Sequence, residues 1–148
     1  IPYFNSKYDL YDNFKTIEMN HKNFPPNFKN DKKNIAIDFD GVIHNSSKGW
    51  HDGTCYGSPI KEAINSIKKL SKKYNIIIFT AKCKNDRPLI NGKTGYQLVK
   101  EWLVKNNLID YIEEITSEKP RALIYIDDNA YRFMNWERTM IDLEEKYL

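Results

Sequence analysis

Ile35-Ala36-Ile37-Asp38-Phe39-Asp40-Gly41-Val42-Ile43 is the stretch on which the reading of this chain turns. It is an apolar, β-type run that closes on two aspartates spaced two apart, with a glycine directly after. Burying an unpaired carboxylate is expensive, so a buried strand has little use for two of them at its end. Side chains alternate along a strand, which sends Asp38 and Asp40 to the same side at its mouth. Carboxylates held that close repel each other unless a cation or a shared proton lies between them. The arrangement suits a magnesium-dependent pair of nucleophile and acid/base.

Working outward, the continuous apolar character of Ile35 to Asp38 predicts a strand buried on both faces. Residues 43–58 read as a long polar loop with Gly49, Gly53 and Gly57. Ser58 and Pro59 suit a cap and a helix first turn, followed by Ile60, Ala63, Ile64, Ile67 and Leu70 at the spacing of one buried helical face. Asn75 to Thr80 predicts a second buried strand, and residues 81–93 a second polar loop. Thr94 to Lys105 predicts a helix with Leu98, Trp102 and Leu103 facing inward. Ile112 to Thr116 and Ala122 to Ile126 are further strands, the latter ending in Asp127-Asp128, and a last amphipathic helix runs from Trp136 to about Tyr147.

Strands alternating with helices predict an α/β fold, a Rossmann-like three-layer αβα domain around a central parallel sheet. Such sheets carry their sites at the carboxyl ends of the strands. Three strands here end in chemistry: Asp38/Asp40, Thr80 and Asp127/Asp128.

The chain has 148 residues, enough for one domain with a real core, assigned here to 34–148. Residues 1–33 are polar and aromatic, broken by Pro25-Pro26, and read as an arm or linker. The chain opens on Ile1-Pro2-Tyr3-Phe4, with neither an initiator methionine nor a signal pattern, which suggests a processed or excised piece of a larger protein. No apolar run approaches the roughly 20 residues that cross a bilayer. Two cysteines make no disulfide framework, so a reducing, cytoplasmic setting is expected. A net charge of +3 is mild, and the scattered lysines read as solvated faces rather than a nucleic-acid stripe.

Asp38-Phe39-Asp40-Gly41-Val42, Thr80, Lys119 and Asp127-Asp128 together, in this order and at strand ends, resemble the haloacid dehalogenase superfamily of phosphohydrolases. The resemblance spans Asn34 to the C-terminus, and the stretch from Lys119 to Ala130 is similar to the tail of small, capless members. It implies a Mg²⁺-dependent phosphatase. Asp38 would attack phosphorus and form an aspartyl-phosphate, splitting one hard displacement into two. Asp40 would protonate the leaving oxygen and then activate water, its backbone carbonyl binding metal. Gly41 would let the chain turn beside the phosphate. Thr80 and nearby amides such as that of Ala81 would donate to a phosphoryl oxygen. Lys119 would supply the positive charge that holds Asp38 and phosphate together. Asp127 and Asp128, with Asp38 and Asp40, would complete an oxygen-rich Mg²⁺ site. A second aspartate at position 40 favours phosphoryl transfer over carbon–halogen cleavage, because a halide leaves without a proton.

The insertion after the nucleophile is too short for a cap domain, so loops 43–58 and 81–93 should cover an open site. His44 could touch substrate there, and Lys82, Lys84 and Arg87 could contact an anion. His44, His51, Cys55 and Cys83 could in principle form a zinc site, but their spacing matches no compact ligand pair. The expected partner is a phosphorylated small molecule or a nucleic-acid end, a nucleotide or terminal phosphate being preferred because aromatic and basic loop residues could stack and pair. Sugar-phosphate or phosphoprotein phosphatase is the alternative in the same class, and a catalytically silent binding or regulatory module the alternative from another. The oligomeric state stays open.

Overall fold

The structure is a computed structural model that describes residues 33–148. The elements in chain order are β1 (Asn34–Ile37), α1 (Ala63–Ser71), β2 (Asn75–Phe79), a 3₁₀ turn (Ala81–Cys83), α2 (Gly95–Lys105), a second 3₁₀ turn (Ile109–Tyr111), β3 (Glu114–Thr116), β4 (Ile124–Ile126) and α3 (Trp136–Lys146). Residues 34–148 form one compact unit, while the arm expected over residues 1–33 lies, Lys33 apart, outside the described residues.

The β-branched runs do what their composition predicts. The four strands pair in parallel in the order β3-β2-β1-β4, with β1 in the interior. Ile37 of β1 stands opposite both Ile78 of β2 and Ile126 of β4, so these three strands finish level with one another. Ile35 and Ile37 share a sheet face with Ile76 and Ile78, and these join Phe39, Ile67 of α1 and Val99, Trp102 and Leu103 of α2 in one buried cluster. Each fully buried side chain of this size contributes about 1.5–3 kcal/mol by transfer, an upper bound because unfolded chains are already partly compact.

Three details depart from the sequence reading. Pro59 opens no helix: it bridges to His44, Ile60 N–H donates to Ile43 O at 2.8 Å, and α1 starts at Ala63 after Glu62 in a left-handed conformation at φ 69°. Val99 rather than Leu98 is fully buried on α2. Both later strands are shorter than their apolar runs, and every residue of β4 is exposed.

The expectation of helices on both sheet faces is met, among the described residues, on one. α1 and α2 pack on the face that carries Ile35 and Ile37, whereas α3 buries only Thr139. The other face, with Ala36, Phe79 and Tyr125, opens into a recess of about 700 Å³. Among the described residues no helix is long and apolar enough to cross a membrane.

Candidate functional site

The level ends of β1 and β4 place three carboxylates together. Oxygens of Asp38, Asp127 and Asp128 all lie within 4.8 Å of one another, and this is the one group of three or more His, Cys, Asp or Glu at metal-binding separation among the described residues. Asp38 N–H continues the ladder to Ile126 O at 2.9 Å, which keeps the two strand ends in register. The Asp38 carboxylate accepts the Phe39 N–H at 2.9 Å, and the Asp127 carboxylate accepts the Asn129 N–H at 2.7 Å. Burial pushes the Asp38 carboxyl up to about 6 against the pull of the Phe39 N–H, and the charges of Asp127, Asp128 and Asp40 push the same way. Clustered hard carboxylate oxygens are the kind of donor set that Mg²⁺ or Ca²⁺ takes.

Gly41 makes the third carboxylate possible. It sits at φ +84°, and a Cβ there would meet Asp128 Oδ2 at 2.3 Å. The missing side chain therefore serves close approach as well as the turn.

Asp40 is not a member of the carboxylate triad. Its Oδ1 is 2.7 Å from His44 Nδ1 and its Oδ2 3.5 Å from Lys82 Nζ. Burial works to raise Asp40, but the hydrogen bond from His44 and the charge of Lys82 outweigh it and hold the carboxyl below its ordinary value. The Asp40 side chain faces His44 through Oδ1 and, more loosely, Lys82 through Oδ2.

Lys82 and His44 were expected to contact substrate from the loops. Instead, Lys82 is buried, with its Nζ on Asp40 and 5.1 Å from the centroid of the Trp50 ring. His44 is wholly buried, stacked on Phe39 at 5.1 Å and met edge-on by Trp102 and Tyr56. The contacts of the imidazole are with the protein.

Thr80 follows β2 and caps the 3₁₀ turn, buried, with its N–H on Thr116 O at 2.9 Å and its Oγ1 accepting the Lys82 N–H at 3.2 Å. That bond uses a lone pair and leaves the O–H to another acceptor. Ala81 opens the turn, and its carbonyl takes the Lys84 N–H and the Arg87 Nε–H, the latter at 3.3 Å, so Arg87 braces the loop. Lys119, expected beside Asp38, is exposed with its Nζ 4.9 Å from the centre of the Tyr125 ring; it lines the same recess as Asp38. The zinc grouping does not assemble among the described residues, and burial pushes the thiols of Cys55 and Cys83 up to about 11, away from the thiolate a metal needs.

The packing roles of two glycines escaped the sequence reading, which named Gly57 only as a loop residue and Gly95 not at all. A Cβ on Gly57 would meet Asn45 O at 1.9 Å, and one on Gly95 would meet Lys82 O at 1.7 Å. Gly57 also donates its N–H to His44 Nε2 at 2.8 Å, and its carbonyl accepts the Trp102 Nε1–H at 2.8 Å. The only signal was glycine standing where a loop ends and where a helix begins. No family model, no curated protein and no solved structure matches the chain at a significant level.

Proposed function

We propose that residues 34–148 form a Mg²⁺-dependent phosphomonoester hydrolase of the small, capless haloacid dehalogenase type, with a Rossmann-like sheet and an aspartyl-phosphate intermediate at Asp38. The observation that carries this is the closure of Asp38, Asp127 and Asp128 to within 4.8 Å at the ends of adjacent parallel strands. Asp40 stands two residues on, held by an imidazole and an ammonium. A cofactor Mg²⁺ would be held by Asp38, Asp127, Asp128 and the Asp40 carbonyl, and supplies charge to offset that of the phosphate oxygens.

An Asp38 oxygen attacks phosphorus, the ester P–O bond breaks, and the departing oxygen takes a proton from Asp40. Asp40, again a carboxylate, then removes a proton from water, which attacks the same phosphorus and breaks its bond to Asp38, releasing inorganic phosphate. His44 and Lys82 favour the carboxylate form that the second step needs. The charge of an arriving phosphate works the other way and raises Asp40 for the first.

Among substrates, a nucleotide or a nucleic-acid terminal phosphate fits best. Lys82 on the half-exposed Trp50 and the Lys119–Tyr125 pair put cations and aromatic rings beside Asp40 and in the recess of Asp38. One observation favours a catalytically silent binding module instead: Lys119 lies over Tyr125 rather than on Asp38.

A panel of nucleotides, sugar phosphates, phosphopeptides and 3′- or 5′-phosphorylated oligonucleotides, assayed for phosphate release with Mg²⁺, tests the proposal. Turnover that needs Mg²⁺ and is lost in Asp38→Asn supports it. Binding without turnover across the panel supports the silent module, and full activity in Asp38→Asn removes Asp38 as nucleophile.

A further inference from the structure

We propose that His44 is the positioning residue for the acid/base Asp40, presenting Oδ2 to the departing oxygen by fixing Oδ1; this role rests on the phosphatase reading above.

The geometry leaves His44 one way to sit. Its Nε2 faces the Gly57 N–H at 2.8 Å, and because a backbone N–H only donates, Nε2 accepts. A neutral ring then carries its proton on Nδ1, which points at Asp40 Oδ1 at 2.7 Å. The ring plane is set by the parallel face of Phe39, with an interplanar angle of 5°, and by the edges of Trp102 and Tyr56. Its backbone is held as well: His44 N–H donates to Phe39 O and Gly41 N–H to His44 O, each at 2.9 Å.

Asp40 and His44 thus stand at the two ends of one tight turn, and the ring returns to the carboxylate from which the turn departs. The other oxygen, Oδ2, has Lys82 Nζ at 3.5 Å, a looser contact. An acid that must deliver a proton within one hydrogen-bond length of a leaving oxygen gains most from being fixed on its far side. A core histidine serving stability alone needs no carboxylate two positions from a nucleophile.

The test separates positioning from folding through the leaving group. A phenolate departs readily without a proton, whereas an alkoxide needs one, so loss of Asp40 alignment harms alkyl esters more. His44→Phe keeps the aromatic box and removes both nitrogens; His44→Asn returns one N–H donor near the Nδ1 position. Single-turnover release of the alcohol, with Mg²⁺, is measured for an alkyl phosphate and for an aryl phosphate. The expected result for His44→Phe is an alkyl rate down by about 10- to 100-fold, part of the roughly 10²- to 10⁴-fold that a general acid supplies, an aryl rate reduced several-fold less, and partial recovery of the alkyl rate in His44→Asn. Equal losses on both esters, or no recovery in His44→Asn, overturn the proposal and leave His44 a structural residue.

A second measurement holds should His44→Phe not fold. Nitrogen-15 NMR of the wild-type imidazole is expected to report the Nδ1–H form, with the Nδ1 resonance moved in Asp40→Ala; an Nε2–H form overturns the proposal. Wild-type protein that releases neither alcohol removes the phosphatase reading and this role with it. Turnover by the wild type with unchanged rates in His44→Phe removes the role alone.

Discussion

At the scale of single residues, Asp38 and Asp40 differ only in their surroundings. Asp38 is raised to about 6 from 3.8 by burial and by three neighbouring carboxylates, while Asp40 is lowered by His44 and Lys82. Folded Asp38 therefore binds more protons than unfolded Asp38 between pH 3.8 and about 6. Its contribution to stability falls as pH rises through that window, and the full penalty stands above it. Asp38→Asn removes the penalty. In chelator, at pH 7.5, the variant is expected to be more stable than wild type by about 1–2 kcal/mol, the shift being discounted for partial solvent screening. The difference should close below pH 4 in urea melts run across the range. Mg²⁺ should raise the wild-type melting temperature and leave that of Asp38→Asn nearly unmoved. A variant that is less stable than wild type at pH 7.5 would mean the triad is not crowded.

At the scale of elements, the turn Ala81–Cys83 is seated where α2 begins. Thr94 caps α2 by a reciprocal bond with Gln97, and Gly95 then lies flat on the Lys82 carbonyl. Gly95→Ala is expected to cost about 1–3 kcal/mol by overpacking and to shift Lys82 from Asp40. Turnover should then drop at temperatures where circular dichroism still shows a folded protein; activity that tracks only the folded fraction would refute the link. This contact also marks where sequence reading stops. The runs Ile35–Ile37 and Asn75–Phe79 announce strands because a β-branched stretch bounded by polar residues has few other solutions, and Asp38, Asp127 and Asp128 were legible as strand ends. Lys82 and His44 were not. Whether a loop lysine is solvated or buried depends on Gly95 and Asp40, both distant in sequence, and the fate of His44 depends on Gly57 and Trp102. The start of α1 was missed for a similar reason: Pro59 and Ile60 are taken up in pairing with His44 and Ile43 before the helix can begin.

At the scale of the whole described unit, burial is uneven. β1 and β2 lie between neighbours and carry the core isoleucines, whereas β4 and most of α3 are exposed. Amide hydrogen exchange should follow that gradient. Amides of Ile35–Ile37 and Ile76–Ile78 are expected to exchange only by global unfolding, and those of Ile124–Ile126 and α3 through smaller openings, faster by about 10-fold or more. Uniform protection across the sheet would contradict this.

The triad joins these scales. Asp38 belongs to an interior strand, Asp127 and Asp128 to the chain leaving β4, and among the described residues β4 pairs with β1 alone. An ion bound to all three is a clasp as much as a cofactor, a side-chain rivet across the least buried seam of the sheet. Its affinity is then set partly by the work of closing that seam. Substitutions in β4 that never touch the ion would weaken its hold, and a saturating ion would mend them.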